Sequence, residues 1–307
     1  MDYVRQLMHA TEPHKRQACT ASVLLALRTD DGRVLAASGD TAWHLPAADL
    51  QVGEGFEDCA RRIAARFELQ PPALQCLGTL GTVLPPTGSG FHRFDLQAVV
   101  TATVHASLTS TLQPVAMAEA TAGWDGDAKP LTPSAADPQH LARSPFPAGR
   151  EGEPYWRHLR RLVGADTCLI LPAVAVIILT DNGRVVLVRS HEHDVWMIPG
   201  GIIDFGESVA DAVVREAHEE TGLAVTPAQQ VGCYSGKDFT VRYKSGDVVQ
   251  IASFPCVARV NGGALRTGDP GQIAAVAAFD PRHLPPMYPH WRRVLDDALA
   301  GHFGTVR

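Results

Sequence analysis

The chain contains one long internal repeat, and this repeat limits the possible folds more than any other feature. The segments Trp43–Gln70 and Trp196–Leu223 align without a gap at an offset of 153 residues, with 7 identities in 28 positions. The identical pairs are Trp43/Trp196, Pro46/Pro199, Gly53/Gly206, Glu54/Glu207, Asp58/Asp211, Arg62/Arg215 and Ala64/Ala217. A repeat of this length indicates duplicated domains rather than a solenoid of short units.

The segments on either side of each repeat predict strands in the same order. Residues 23–35 and 176–188 each read as an apolar strand, a tight Asp-Gly or Asn-Gly turn and a second apolar strand, which is typical of a hairpin. Residues 96–104 and 252–260 then predict a later strand in each copy. Both copies are therefore expected to build a sheet in the same way.

The domain boundaries follow from composition. Residues 129–154 are rich in proline, serine and glycine, which predicts a linker. We therefore expect a first domain at 1–128 and a second at 155–307. The second should begin with an amphipathic helix at 155–164 and close with a helix at 290–300, since apolar residues recur there at helical spacing.

Composition and charge exclude several classes of protein. The net charge of −6 gives no basic surface of the kind that binds nucleic acid. The N-terminal segment lacks the apolar core of a signal peptide, and the longest apolar run, 169–179, is too short to span a membrane. The six cysteines form no CxxC pair, so neither a zinc ribbon nor a disulfide framework is expected. These features predict a cytoplasmic protein without membrane or nucleic-acid partners, and the excess of arginine over lysine favours a bacterial source.

The second copy carries a cluster of acidic residues that predicts a metal site. Ser208–Thr221 is rich in helix formers and is followed by Gly222, a common helix stop. On such a helix Glu216, Glu219 and Glu220 stand at i, i+3 and i+4 and share one face. Like charges at this spacing cost about 0.2–0.5 kcal/mol per pair, which a bound cation would remove. Mg²⁺ prefers oxygen ligands and keeps coordination positions for phosphate oxygens.

The full spacing around these residues is G-x5-E-x7-R-E-U-x-E-E-x-G-U, where U is aliphatic. It is filled by Gly201, Glu207, Arg215, Glu216, Ala217, Glu219, Glu220, Gly222 and Leu223. This pattern resembles the Nudix box at every fixed position, and nine positions are far more specific than a lone glycine motif. The resemblance covers roughly residues 171–299, and the first half in weaker form. The alternative is a solvated acidic helix face, which would make the remaining matches coincidental.

The resemblance implies a fold and a set of roles. The fold is two α/β/α sandwiches with mixed sheets, each with the box helix on one face. The implied metal ligands are Glu216, Glu219, Glu220 and the backbone carbonyl at Gly200 or Gly201. The resemblance also implies an ion pair between Glu207 and Arg215 that braces the loop against the helix, and such support commonly matters 10- to 100-fold in metal affinity or activity.

The implied reaction is hydrolysis, with Mg²⁺ or Mn²⁺, of a phosphoanhydride bond in a nucleoside diphosphate linked to another group. Nucleoside triphosphates and nucleotide-diphosphate conjugates both stay open as substrates. The candidate substrate contacts are Arg189, Trp196, Tyr234, Lys237 and Phe239. An ordinary surface role for the arginine and a packing role for the aromatic residues near 234–243 remain alternatives.

The general base is not fixed by the sequence. Many relatives place a glutamate in a loop after the box, whereas this chain has Gln272 and Ala275 there. Glu219, Asp269 or a metal hydroxide could serve, and Glu219 is preferred. Asp204 could add a carboxylate, although a role in the loop turn is favoured.

The first copy lacks the metal-binding residues. It keeps Glu54 and Arg62, but Ala48 replaces the glycine, and the three box glutamates are replaced by Ile63, Arg66 and Phe67. We expect a non-catalytic domain that buries surface against its partner, either within the chain or in a dimer, with substrate selection or nucleotide sensing as alternatives. For the whole chain, the alternative function is a non-hydrolytic nucleotide sensor, which the intact second box disfavours. The sequence does not decide between a monomer and a homodimer.

Overall fold

The computed structural model describes residues 17–38, 43–84, 92–104, 112–115, 155–165, 167–191, 194–268 and 271–307. The predicted linker at 129–154 lies outside these ranges. In the first half the described elements are β1 (Gln17–Arg28), β2 (Val34–Ser38), β3 (Trp43–His44), β4 (Ala47–Asp49), α1 (Phe56–Ala65), β5 (Gln75–Leu84), β6 (His92–Thr103) and β7 (Gln113–Val115).

The second half begins with a helix and ends with a short strand. Its elements are α2 (Tyr155–Val163), β8 (Leu169–Leu179), β9 (Val185–Ser190), β10 (Trp196–Met197), α3 (Val209–Thr221), β11 (Leu223–Gln230), β12 (Gly232–Cys233), a 3-10 helix (Lys237–Phe239), β13 (Thr240–Arg242), β14 (Val248–Gly263), β15 (Ile273–Phe279), α4 (Pro289–Leu299) and β16 (Thr305–Val306). The predicted hairpins, later strands and opening and closing helices are found, although β6 and β14 each begin four residues before the predicted starts at 96 and 252.

The two large sheets have the same strand order. The first runs β3-β2-β1-β6-β5, with β4 on β1 and β7 on β2. The second runs β10-β9-β8-β14-β11, with β13 on β14 and β15 on β9. The central pairs β1/β6 and β8/β14 are parallel, whereas the other pairs are antiparallel. The prediction of an α/β fold with mixed sheets is therefore confirmed.

Helix α3 forms where the sequence predicts it. The hydroxyl of Ser208 accepts a hydrogen bond from the backbone N–H of Asp211 at 3.1 Å, which caps the first turn. Gly222 ends the helix in the left-handed conformation, with φ of 72°. The apolar stripe of the helix is buried against the second sheet and consists of Val209, Ala212, Val213 and Ala217. The opposite face is left for the glutamates.

The two halves contribute to one hydrophobic core. Phe56 at the start of α1 packs against Phe254 of β14 with ring centroids 5.5 Å apart, and both side chains are fully buried. Burial of such a side chain contributes roughly 1.5–3 kcal/mol. The halves are thus joined by packing as well as by the chain. No helix among the described residues is long and apolar enough to cross a membrane.

Candidate active site

The three box glutamates meet at one cavity at the C-terminal end of α3. The cavity has a volume of about 370 Å³ and is lined by Glu216, Glu219, Glu220, Gln272 and Ile273. Gln272, which stands where many relatives have a loop glutamate, thus lies in the wall of the same cavity. Ile273 was not predictable as a lining residue, because its position follows from the pairing of β15 with β9.

Arg215 ties the loop before α3 to the helix. Its Nε and Nη2 donate to the two carboxylate oxygens of Glu207 at 2.7 Å each, and Nη2 also donates to the carbonyl of Ile202 at 3.1 Å. Its Nη1 donates to Glu216 at 2.6 Å and to Glu219 at 3.1 Å. Glu207 is only 3% exposed, so this bidentate pair is largely withdrawn from water and strong.

The Gly-Gly turn lies against the same carboxylates. The N–H of Gly200 donates to Glu220 at 2.9 Å. A Cβ on Gly201 would collide with the carboxylate of Glu216, so any other residue at this position would displace that carboxylate. The carbonyl of Gly201 accepts a hydrogen bond from the N–H of Val174 at 2.9 Å, which holds the turn against β8.

The cavity brings several buried carboxyl groups close together, and their burial changes their pKa values. Burial raises the pKa of Glu216 to about 7, although Arg215 partly opposes the shift. Burial, together with the charge of Glu216, raises the pKa of Glu220 to about 8. Burial also raises the pKa of Asp204, which lies near the same groups. A divalent cation would stabilise the ionised forms of these carboxylates.

The donor set suits a hard cation, since it consists of carboxylate and carbonyl oxygens. In the part of the chain that the structure describes, no three acidic, histidine or cysteine side chains already form a complete ligand set. Glu216 and Glu219 accept hydrogen bonds from Arg215, and Glu220 accepts one from Gly200. Small side-chain rotations toward the cavity would be needed to bind an ion.

Arg189 and Trp196 lie together next to the cavity wall. They pair across β9 and β10, and the guanidinium carbon of Arg189 lies 5.9 Å from the centre of the Trp196 ring. Phe279 supports that ring edge-on at 4.7 Å. On its other side Arg189 pairs with Ala275 of β15, the strand that supplies Ile273 to the cavity. Arg189 therefore lies on a strand next to the one that supplies Ile273 to the cavity, and Trp196 lies on β10, which pairs with β9.

Two of the other candidate contacts are in the core. Tyr234 is fully buried, and its hydroxyl donates to Asp297 of α4 at 2.9 Å. Phe239 is 2% exposed and packs edge-on against Trp291 at 5.9 Å. Neither ring presents a face on which a nucleobase could stack, so their observed environment corresponds to the packing alternative. Lys237 lies beside Gly53 of the first half, and Asp269 lies outside the described residues.

The first half keeps the brace but not the acidic cluster. Arg62 binds Glu54 through Nε at 2.6 Å and Nη2 at 2.8 Å, as the equivalent pair does in the second half. Ile63 is buried, Arg66 is exposed and Phe67 packs against the core. The loop is thus held in the same way without a carboxylate on the helix face that would bind a metal.

Comparisons with known proteins place this site in a family. The NUDIX domain model matches residues 169–298. A crystal structure of the MutT NUDIX hydrolase from Burkholderia pseudomallei has 26% identity and a TM-score of 0.35, and covers 42% of this chain and 97% of that chain. The ADP-ribose pyrophosphatase of Methanocaldococcus jannaschii is 35% identical over 132 residues, which are 42% of this chain and 73% of that protein.

A second sequence relative agrees. The Nudix hydrolase YvcI of Bacillus subtilis, which is uncharacterized, is 31% identical over 134 residues, or 43% of this chain and 81% of that protein. These two relatives and the family model show that the chain belongs to the Nudix hydrolase family through its second half. The prediction of a Nudix-type pyrophosphohydrolase is confirmed at the level of this family. The family model does not extend to the first half.

Proposed function

We propose that the second half is a Mg²⁺- or Mn²⁺-dependent hydrolase that cleaves a phosphoanhydride bond in a nucleoside diphosphate linked to another group. The observation that carries this proposal is the cavity lined by Glu216, Glu219 and Glu220, with Arg215 fixing the helix and loop around it. The ADP-ribose pyrophosphatase among the relatives is named for a substrate of this chemical class.

The ion would be held by the three glutamates and one backbone carbonyl. The carbonyl of Gly201 is engaged by β8, which favours Gly200 as the carbonyl ligand. A bound divalent cation would neutralise phosphate charge and lower the pKa of an attacking water. Arg215 keeps Glu216 and Glu219 at the cavity, and a buried guanidinium offsets part of their mutual repulsion.

Glu219 remains the proposed general base. Its side chain is 55% exposed, against 10% for Glu216, so it can exchange a proton with solvent. Gln272 faces the same cavity, but an amide cannot accept a proton near neutral pH and is limited to hydrogen bonding. Glu219 is held at 3.1 Å from Arg215, which would orient it toward a water in the cavity.

Arg189 and Trp196 are the proposed substrate contacts beyond the metal. A guanidinium supported by an aromatic ring can bind a phosphate or stack on a planar base. Lys237 is retained as a more distant candidate for an anionic group. A cytoplasmic location and the absence of nucleic-acid partners stay predictions.

We also propose that the first half, residues 1–128, is a degenerate, non-catalytic copy of the second half, 155–307, joined to it by the linker 129–154. The shared strand order and the retained brace between Glu54 and Arg62 support this proposal. The replacement of all three box glutamates argues against a second metal site.

The test is a screen of the purified chain against nucleoside triphosphates and nucleoside diphosphate conjugates, with and without Mg²⁺. Glu220→Gln should lower metal-dependent release of phosphate, pyrophosphate or nucleotide by on the order of 100-fold or more, because a metal ligand is lost. Arg66→Gln, at the first-half position equivalent to Glu219, is the matched control and should keep normal turnover. Wild-type turnover in the Glu220 variant would refute the site.

A further inference from the structure

Three side-chain contacts join the halves at β5 and at the segment containing β11 and β12. The side chains of Thr79 and Gln230 hydrogen bond at 2.9–3.1 Å. The thiols of Cys76 and Cys233 are both buried and lie close enough to each other to interact. The amide of Gln230 also lies 3.8 Å from the sulfur of Cys76. These residues come from opposite halves and meet at one place.

The sheet registers show which positions of the two halves correspond. Leu25 and Val176 each stand four residues before the threonine that begins the turn after β1 or β8. Leu25 pairs with Val100 of β6, and Val176 pairs with Cys256 of β14. Val100 and Cys256 are therefore equivalent positions in the two sheets.

The same registers extend to the next strand. Cys76 lies opposite Val100 and Gln230 lies opposite Cys256, so Cys76 and Gln230 are equivalent. Thr79 and Cys233 each follow three residues later along the chain and are equivalent in turn.

The contacts are thus reciprocal. If each residue of the pair Thr79–Gln230 is replaced by its equivalent in the other half, the result is the pair Cys233–Cys76. Both of these pairs are in contact in the structure. The contact between Cys76 and Gln230 joins equivalent residues, and β1 contacts β8, which is the equivalent strand of the other half. Reciprocal contacts of this kind are the property of an isologous interface with two-fold symmetry.

We propose that the two halves associate about a local two-fold axis as the subunits of a homodimer do, so that the first half occupies the surface that would otherwise bind a second catalytic half. This inference rests on the proposal that the first half is a degenerate copy. The chain is then a monomer with one active site, in which the first half serves as a built-in partner subunit.

Other contacts between the halves lack two-fold symmetry. They explain why the second half binds the first half rather than a second catalytic half. Gln250 is fully buried; its oxygen accepts from the N–H of Gly53 at 2.5 Å, and its amide donates to the carbonyl of Glu54 at 2.9 Å. The equivalent position in β6 is Phe94, whose side chain cannot form such bonds. The carbonyl of Gly304, near the chain's last strand, accepts from the N–H of Cys76 at 2.7 Å.

The test uses the full chain with a protease recognition sequence placed within residues 129–154. The intact chain should have the mass of one copy, 32.9 kDa, by light scattering at tens of micromolar. After cleavage, the two fragments should elute together in equal amounts, and metal-dependent turnover should change by less than about twofold. Fragments that separate at micromolar concentration, or that elute as dimers of one fragment, would overturn the proposal.

A pair of variants tests the position of the interface. Thr79→Arg places a charge at the reciprocal contact and should weaken association of the cleaved halves by about tenfold or more. Ala65→Arg, at an exposed position of α1, should leave association unchanged. Equal weakening by both variants would contradict the position of the interface at Thr79. Circular dichroism shows whether the first half that carries each substitution is folded. Association is measured without substrate, so a chain that stays assembled but hydrolyses no nucleotide would refute the proposed function alone.

Discussion

Replacing Arg215 with methionine should show how much the bracing hydrogen bonds of Arg215 contribute when all three glutamate ligands are kept. Methionine keeps an unbranched side chain of similar length but removes every hydrogen bond that the guanidinium makes. Glu207 would lose two charged hydrogen bonds of 2.7 Å and keep the bond from the N–H of Asp204 at 2.9 Å. At 3% exposure this carboxylate cannot turn to water.

The magnitude follows from this burial. Removing one partner of a buried ion pair costs about 3–5 kcal/mol, and we expect a loss near the lower limit because the Arg215 side chain is 17% exposed. The contact with Glu219, which is 55% exposed, adds little, because solvent screens such pairs. The matched control is Arg62→Met, which breaks a pair whose side chains are 32% and 12% exposed and should cost about 1–2 kcal/mol.

The two variants should differ more in activity than in free energy of unfolding. Arg215→Met frees Glu216 and the loop, so kcat/KM should fall 10- to 100-fold, together with Mg²⁺ affinity. Arg62→Met should leave both unchanged, because the helix that carries Arg62 lacks the three box glutamates. Urea unfolding, calorimetric Mg²⁺ titration and turnover of a substrate found by the screen measure these quantities. An Arg215 variant whose free energy of unfolding is within about 1 kcal/mol of wild type, and whose Mg²⁺ affinity is normal, would refute this role of Arg215.

Three further predictions follow from the site. Burial raises the pKa of Glu216 to about 7, above its usual 4.5, so the folded metal-free protein holds a proton that the unfolded chain releases. This contribution to stability is present below pH 4.5 and is lost as the pH rises toward 7. Thermal melting from pH 4 to 8 should show that Glu216→Gln removes part of the decline and that Mg²⁺ offsets it in the wild type; equal pH profiles would contradict this. Gly201→Ala should lower both melting temperature and turnover, because its Cβ meets the Glu216 carboxylate. The matched control is Gly262→Ala, whose Cβ would have only an ordinary contact and which should lower neither turnover nor metal affinity. Arg189→Lys should raise KM as much as Arg189→Ala if the guanidinium stacks on the Trp196 ring and on a base, and much less if it serves only as a positive charge for phosphate; an unchanged KM in both would exclude substrate contact.

Local features of the sequence were sufficient for the box helix. The spacing of Glu216, Glu219 and Glu220, the cap at Ser208 and the stop at Gly222 all act within one or two helical turns. Each could therefore be predicted without knowing what the helix packs against, and each is found in the structure. The hairpins and the repeat were predictable for the same reason, since strand alternation and turn residues are local signals.

Burial of particular side chains was not predictable in this way. Tyr234 and Phe239 lie in a segment whose aromatic residues suggested a surface for a base, but α4 packs over them from more than 50 residues later in the chain. Whether an aromatic ring is exposed depends on such long-range contacts, which leave no periodic signal near the ring itself.

The sequence alone determined that the chain has two similar halves, that only the second carries an acidic helix face, and that this face resembles a Nudix box. Only the tertiary structure decided which surfaces of the halves meet. Thr79 and Gln230 are unremarkable in sequence, and Cys76 and Cys233 look like isolated buried thiols. Their reciprocal pairing depends on strand registers and on the placement of one sheet against the other, because an interface is formed by residues distant in sequence and close in space.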